Sequence, residues 1–321
     1  MLAVTCTSQS DTDPLTGLTV GDRPSPEVPA GWTRVTLAAC ALNHHDLWSL
    51  QGVGLPADRL PMVLGCDGAG VDEDGNEVVV HAVIGEPGPY GDETFDPKRT
   101  LLSELHDGTL AEQVVVPTRN LVPKPADLSF EEAACLPTAW LTAYRMLVTR
   151  SGLSGPGTVL VQGAGGGVAT AAIVLAKALG HTVFVTSRDG AKRQRSLELG
   201  ADAALAPGER VPAKCDAVLE TVGEATWSHS LRSLRPGGTV VVSGATSGPN
   251  PPADLNRVFF LQLSVVGSTM GTRDELADLL ALVERTGTRP LIDTVRPLSE
   301  ARAAFEQMAA GDTFGKLVLT V

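Results

Sequence analysis

A five-residue β-rich run, Thr158-Val-Leu-Val-Gln162, leads directly into Gly163-Ala-Gly-Gly-Gly-Val-Ala169 and then into an apolar stretch with helical character. Few folds accommodate that succession. A phosphate bound at a helix N-terminus needs free backbone N–H groups and close main-chain approach, which side chains would obstruct. The spacing is G-x-x-G-x-x-A, carried by Gly163, Gly166 and Ala169, and not the literal G-x-G-x-x-G. No Gly-Lys-Ser/Thr follows, so the loop is not a Walker loop, and a dinucleotide is favoured over ATP or GTP. A glycine loop by itself is equally a tight turn. The strand–loop–helix setting, followed by a second βα unit, is what points to a cofactor.

The alternation continues downstream. Strands are expected at Thr182–Thr186, Asp216–Thr221, Gly238–Ser243 and Leu263–Gly267, the last at a sheet edge. Helices are expected at Ala169–Leu179, Ala191–Leu199 and Trp227–Leu234. This is the pattern of βαβ units and a doubly wound parallel sheet, so the fold class is α/β. Residues up to about 120 differ in texture. Val28–Leu42, Glu77–Val83 and Leu110–Val116 read as strands, Glu86–Pro97 as an exposed loop, and helical signals are sparse. Ser129 is placed to cap a helix with Glu131 and Glu132 in its first turn, and Ala139–Val148 is apolar at helical spacing. The last fifty residues read helix (Arg273–Glu284), strand, helix (Ser299–Ala310), strand (Lys316–Thr320). They either extend the parallel sheet or return to the first domain. A length of 321 residues suits two domains.

Charge narrows the partners. Twenty-five Lys and Arg against 37 Asp and Glu leave a net charge of −12, which opposes binding to nucleic-acid phosphates or to an anionic membrane. Cys6, Cys40, Cys66, Cys135 and Cys215 are scattered and odd in number, as in a reduced compartment. No basic-then-apolar leader and no bilayer-length apolar run is present. A soluble cytoplasmic protein acting on a small molecule is expected.

The second strand ends at Thr186-Ser187-Arg188, with Lys192 and Arg193 close by. NAD sites usually place a carboxylate there for the ribose hydroxyls. Ser187 with this basic cluster suits a 2′-phosphate, so NADP(H) is expected, although Asp189 counts against it and the charges also suit a solvated helix start.

With these features in place, the chain resembles the medium-chain dehydrogenase/reductase superfamily, in its zinc-free quinone-oxidoreductase-like branch. The matching stretches are Ala41-Leu-Asn-His-His-Asp-Leu-Trp48, Leu64-Gly-Cys-Asp-Gly-Ala-Gly70, Gly108-Thr-Leu-Ala-Glu112, Leu136–Tyr144, Gly163–Ala169, Asp216–Gly223, Gly267-Ser-Thr-Met-Gly271 and Gly315-Lys-Leu-Val-Leu319. The resemblance implies a GroES-like β-rich catalytic domain over 1–139, to which 271–321 returns, and a Rossmann domain over 140–270. It implies cofactor contacts from Gly163, Ala164, Gly165, Gly166, Gly167, Val168, Ser187, Arg188, Lys192, Thr221, Val222, Gly244, Ser268, Met270 and Lys316. It also implies a substrate pocket in an interdomain cleft, drawing on Cys66, Thr138, Tyr144 and Phe260, and a homodimer formed by sheet edges near Leu261–Gly267. Packing is the competing role for Tyr144, Phe260 and Met270, and Lys316 equally suits a routine sheet end.

Zinc-dependent members of the superfamily ligate catalytic zinc through Cys, His and Cys. The aligned residues here are Asn43, Cys66 and Thr138, and the region 81–107 lacks the four cysteines of the structural-zinc lobe. No zinc is expected. Hydride addition to a simple ketone leaves a basic alkoxide that benefits from a Lewis acid, whereas quinones and enones give delocalised anions that hydrogen bonds can stabilise. Asn43, His44, Asp46 and Trp48 are the candidate catalytic residues. Many zinc-free relatives carry Tyr at the Trp48 position, and Trp can only donate an N–H. His44 and His45 are substitutes by residue type.

Two other readings compete: a zinc-type alcohol dehydrogenase with an atypical site, and an NADPH-binding sensor or structural protein without turnover. A short-chain reductase is excluded. It needs Tyr-x-x-x-Lys, but Tyr90 and Tyr144 are the only tyrosines and are followed at that spacing by Thr94 and Val148. The G-x-S-x-G elbow of hydrolases is absent as well.

Overall fold

The chain is described by a computed structural model over residues 1–321, the side chain of Tyr90 excepted. It divides into two compact units. Unit 1 comprises Met1–Leu141 and Met270–Val321, and unit 2 comprises Thr142–Thr269.

Unit 2 is built on a six-stranded sheet, ordered Ala203–Leu205, Thr182–Thr186, Thr158–Val161, Cys215–Glu220, Leu234–Val242 and Ser264–Gly267. Every pairing in it is parallel. Val159, Leu160, Val183, Val185, Val218, Val240 and Val241 are all buried, which is why these strands read as apolar runs and not as alternations. The order reverses between Thr158–Val161 and Cys215–Glu220, the switch point where open parallel sheets bind ligands. The helix after the first strand spans Gly167–Ala178 and begins two residues earlier than expected, with Gly166 as its N-cap. The helix expected from Trp227 starts at Glu224, and the strand expected from Gly238 starts at Leu234. Ala203–Leu205 has no counterpart in the sequence reading, since three residues are too few to show a period.

Unit 1 contains a seven-stranded sheet ordered Leu121–Pro123, Glu77–Val80, Asp67–Asp72, Trp32–Ala41, Lys316–Thr320 and Ile292–Pro297, with Gln113–Pro117 also paired to Trp32–Ala41. Lys316–Thr320 runs antiparallel to Trp32–Ala41 and parallel to Ile292–Pro297, so the C-terminal segment joins this sheet. The run read as Glu77–Val83 is interrupted after Val80. Val83–Ile84 pairs instead with Thr100–Leu101 in a separate ribbon. The sparse helical signal of this half conceals one helix, His44–Leu50, whose seven residues are too few to establish an amphipathic period.

Ser129 caps Phe130–Ala134 through a reciprocal box: its hydroxyl accepts from Glu132 N at 3.2 Å, and Glu132 Oε2 accepts from Ser129 N at 3.0 Å. The apolar segment that follows is helical but uneven, with wide π-type turns at Leu136–Trp140 and Arg145–Arg150 around Leu141–Tyr144. Among the described residues no helix is long and apolar enough to cross a membrane.

Candidate active site

In unit 2 the glycine loop sits at the carboxyl end of the first strand. The first amides of the helix Gly167–Ala178 have no carbonyl four residues back, so they are available to a ligand. A Cβ on Gly166 would meet nothing within 4 Å, so the space over the loop is open. On the neighbouring strand end, Ser187 is buried and Arg188 is exposed. Asp189, the one acid there, is committed to the next helix: its Oδ1 accepts from Ala191 N at 2.7 Å and from Lys192 N at 3.2 Å. Those two backbone donors hold its carboxyl below the usual range. Arg193 donates to the carbonyls of Ser187 and Arg188, at 2.7 and 3.3 Å, and so supports the turn. Loop and strand end together fit a dinucleotide diphosphate.

The remaining residues expected at the cofactor in this unit are spread along the same strand ends. Thr221 and Val222 follow Cys215–Glu220, and Gly244 approaches Thr221, whose carbonyl oxygen would lie 3.1 Å from a Cβ there. Ser268 follows the edge strand, donates its N–H to Val242 O at 2.9 Å, and keeps a buried hydroxyl without a partner. Tyr144 is half-buried in its helix. Phe260, expected in the substrate pocket, is 77% exposed beside Phe259 on the helix Leu255–Phe260.

In unit 1 the helix His44–Leu50 and the turn before Asp67–Asp72 bring a polar cluster together. Asp46 is fully buried. Its Oδ2 accepts from Asn43 N at 2.8 Å and its Oδ1 from Gly65 N at 3.1 Å, which ties the helix start to the turn carrying Cys66. Burial raises its pKa to about 6. Lys316 is equally buried, and its ammonium donates to Leu42 O (2.8 Å), Asn43 Oδ1 (2.8 Å) and Asp67 Oδ2 (2.7 Å). All three N–H groups are thus used within the unit. Met270, expected at the cofactor, is buried here in the apolar cluster that includes Cys66, Val83 and Leu102.

A second polar chain crosses the cluster. His45 lies between Glu104, 3.1 Å from Nε2, and Cys66, 3.5 Å from Nδ1. Cys66 in turn donates to Leu102 O at 3.2 Å. Burial works against charge on His45, but Cys66 and Glu104 at its two nitrogens outweigh it and raise the pKa to about 11. Burial likewise opposes charge on Glu104, yet the His45 hydrogen bond prevails and its pKa is lowered. Burial pushes the Cys66 thiol up although His45 pulls the other way. Glu104, His45 and Cys66 therefore form one hydrogen-bonded series. His44 and Trp48 are exposed on the same helix with their rings 6.4 Å apart.

Sequence reasoning missed Asp67 and Glu104. Asp67 was within sight as an acid in a glycine-rich strand, but only the fold brings it to Lys316. Glu104 is 59 residues from His45, and no spacing rule could pair them.

Catalytic zinc requires about three protein ligands and an open position. The three aligned residues do not supply them. The Asn43 amide oxygen is already held by an ammonium, the Thr138 hydroxyl is not a zinc ligand type, and Cys66 alone of the three is one. Among the described residues no group of three or more His, Cys, Asp or Glu side chains is placed to hold a metal ion.

Comparison with known proteins gives two family matches: an alcohol dehydrogenase GroES-like domain over residues 29–126 and a zinc-binding dehydrogenase domain over residues 167–285. A quinone oxidoreductase of Pseudomonas aeruginosa is 32% identical over 310 residues, covering 89% of this chain and 90% of that protein. The chain belongs to the medium-chain dehydrogenase/reductase superfamily. Its two units are that superfamily's GroES-like and Rossmann-like folds, and it is an oxidoreductase. A spectinabilin polyketide synthase system protein of Streptomyces orinoci is 33% identical over 96% of this chain, which spans only 14% of that much longer protein. The crystal structure of an NAD-dependent alcohol dehydrogenase superposes with a TM-score of 0.91 at 35% identity, each chain fully covered. A 2-octenoyl-CoA carboxylase reductase, solved with NADP and 2-octenoyl-CoA, gives 0.90 at 25% identity over 99% of this chain and 87% of that one.

Proposed function

We propose that the chain is an NADPH-dependent, zinc-independent reductase that transfers hydride to a quinone or an α,β-unsaturated carbonyl. The observation that carries this reading is the Lys316 ammonium on Asn43 Oδ1, which occupies the first of the three positions a zinc-dependent relative uses for metal. A reaction without a Lewis acid must place the developing negative charge where hydrogen bonds suffice, and conjugated acceptors do so. The quinone oxidoreductase and the enoyl-CoA-bound reductase among the relatives support the same substrate chemistry.

Bound NADPH supplies the hydride. Ser187, Arg188 and Lys192 take the 2′-phosphate, with Asp189 withdrawn into its helix cap. Asn43, its oxygen fixed by Lys316, keeps an amide donor that approaches Ala41 O at 3.5 Å, and presents it to a substrate oxygen. His45 holds the proton that accompanies the hydride. The active species is a homodimer in the cytoplasm, with a small molecule as substrate.

The test is a calorimetric titration with NADPH and with NADH, followed by addition of a simple quinone or a crotonyl thioester while reduced-nicotinamide absorbance is recorded. NADPH preference with turnover that survives a strong chelator is the expected result. Turnover of a simple alcohol that zinc restores after chelation would overturn the proposal.

A further inference from the structure

Resting on the cofactor reading above, we infer that Thr186, Gln162, Ser230 and Glu220 are positioning residues: a buried, one-directional hydrogen-bond chain that sets the glycine loop against the Val222–Gly223 loop for cofactor binding.

The chain starts at Gly163, whose N–H donates to Thr186 Oγ1 at 3.1 Å. The Thr186 hydroxyl donates to Gln162 Oε1 at 2.7 Å, and Gln162 Nε2 donates to Ser230 Oγ at 2.9 Å. The Ser230 hydroxyl donates to Glu220 Oε2 at 2.6 Å. The other Glu220 oxygen accepts from Val222 N at 2.8 Å and Gly223 N at 3.1 Å. Thr226 donates its hydroxyl to the same carboxylate.

Both ends of this chain are fixed. Four donors converge on Glu220, the amides of Val222 and Gly223 and the hydroxyls of Thr226 and Ser230, so the donors upstream point toward it. The Gln162 amide is set independently by His229. His229 Nε2 lies 2.8 Å from Glu209 O, which can only accept, so that nitrogen carries the proton. Nδ1 is then left to accept from Gln162 Nε2 at 2.9 Å. Gln162, Glu220 and Ser230 are wholly buried and Thr186 nearly so.

The members come from separate elements: two strand ends, the third strand's terminal residue and the helix Glu224–Ser233. The network ends on the backbone N–H groups of Gly163, Val222 and Gly223, in the two loops that flank the switch point of the sheet. Those loops are also in steric reach of one another. Gly163 has φ +79°, and a Cβ there would lie 3.1 Å from Val222 Cγ2. The chain draws these three amides inward, and the ligand-facing role passes to the amides at the start of the helix Gly167–Ala178.

Thr186→Val removes the hydroxyl at constant shape, and Thr186→Ser restores it. The expected result for T186V is an NADPH dissociation constant raised about tenfold, the effect of one lost net hydrogen bond. kcat at saturating cofactor should stay within about twofold, and T186S should return the affinity to that of the wild type. Amide hydrogen exchange of the ligand-free protein supplies a second readout, with Gly163 exchanging faster in T186V while Val159 and Val218 remain protected. Glu220→Gln, whose NH₂ would replace the oxygen that accepts from the Ser230 hydroxyl, should act in the same direction. Tight NADPH binding by the wild type with unchanged affinity and unchanged Gly163 exchange in T186V overturns the inference alone. A wild-type chain that binds neither NADPH nor NADH overturns it together with the cofactor reading.

Discussion

Lys316 and Asp67 form a 2.7 Å ion pair with side-chain exposures of 2% and 0%, and the remaining Asp67 oxygen has no partner. Removing one member of a buried pair leaves an uncompensated charge, at a cost of about 3–5 kcal/mol. Lys316→Met is therefore expected to lower the denaturation midpoint sharply. The double variant K316M/D67V should recover part of the loss, because removing both charges also removes the penalty of burying them. Urea unfolding of the three proteins checks this. A K316M variant as stable as the wild type would show that the pair does not hold the unit.

How much of this was legible depends on the range of each interaction. The glycine loop and the parallel sheet of unit 2 could be read because their signals are local: a strand, four glycines and a helix within about twenty residues. The Lys316–Asp67–Asn43 cluster joins positions 249 and 273 residues apart, and only the antiparallel pairing of Lys316–Thr320 with Trp32–Ala41 brings them together. The resemblance marked Lys316 as a cofactor residue, and the structure instead shows its three N–H groups spent inside unit 1. Phe260 is illegible for the opposite reason. Its apolar type suggests burial, but an apolar side chain serves an interface equally well.

His45 and Asp46 in unit 1 both lose stabilising free energy as pH rises, each in its own window. His45 has its folded pKa raised from 6.5 to about 11. Its contribution to stability is fully present below pH about 6.5 and is lost as pH rises through about 11. Glu104→Gln should move the His45 titration, followed by NMR of the imidazole protons, to lower pH, because the hydrogen bond to the Glu104 carboxylate favours the charged ring after the Cys66 interactions. An unmoved titration would separate Glu104 from the pair.

Asp46 is an acid with a raised folded pKa, from 3.8 to about 6. Its stabilising contribution is present below pH about 3.8 and is lost as pH rises through about 6, so ionisation at neutral pH works against the fold. Asp46→Asn should remove this dependence. It should also cost about 1–3 kcal/mol at pH 5, because one of the two oxygens that accept from Asn43 N and Gly65 N becomes a donor. Denaturant midpoints of both proteins from pH 4 to 8 test the sign.

Cofactor preference turns on the strand end. Charge-assisted hydrogen bonds contribute about 1.5–3 kcal/mol each. Arg188→Ala combined with Lys192→Ala should weaken NADPH binding by at least about tenfold while leaving NADH unchanged. Ser187→Asp should place a carboxylate for the ribose hydroxyls and invert the preference. Parallel titrations decide it, and equal losses for both cofactors would remove these residues from 2′-phosphate recognition.

The edge of the unit 2 sheet is open. Ser264–Gly267 pairs on one side only, with Leu234–Val242. The preceding helix presents Leu255, Phe259 and Phe260 to solvent, and Val265 of the edge strand is half exposed. A bare strand edge beside an apolar patch is a template for pairing with another chain and is rarely left uncovered. A second copy meeting it edge to edge would complete the hydrogen bonding of both strands and bury both patches by the same symmetric contact. Light scattering should accordingly give a dimer for the wild type. Phe260→Glu with Val265→Lys, which puts charge into both the patch and the edge, should shift the mass to the monomer. Because both residues lie away from the glycine loop in sequence and at the surface, the monomer should retain NADPH affinity. A wild type that is monomeric at tens of micromolar, or a double variant that remains dimeric, would show that this edge is not the interface.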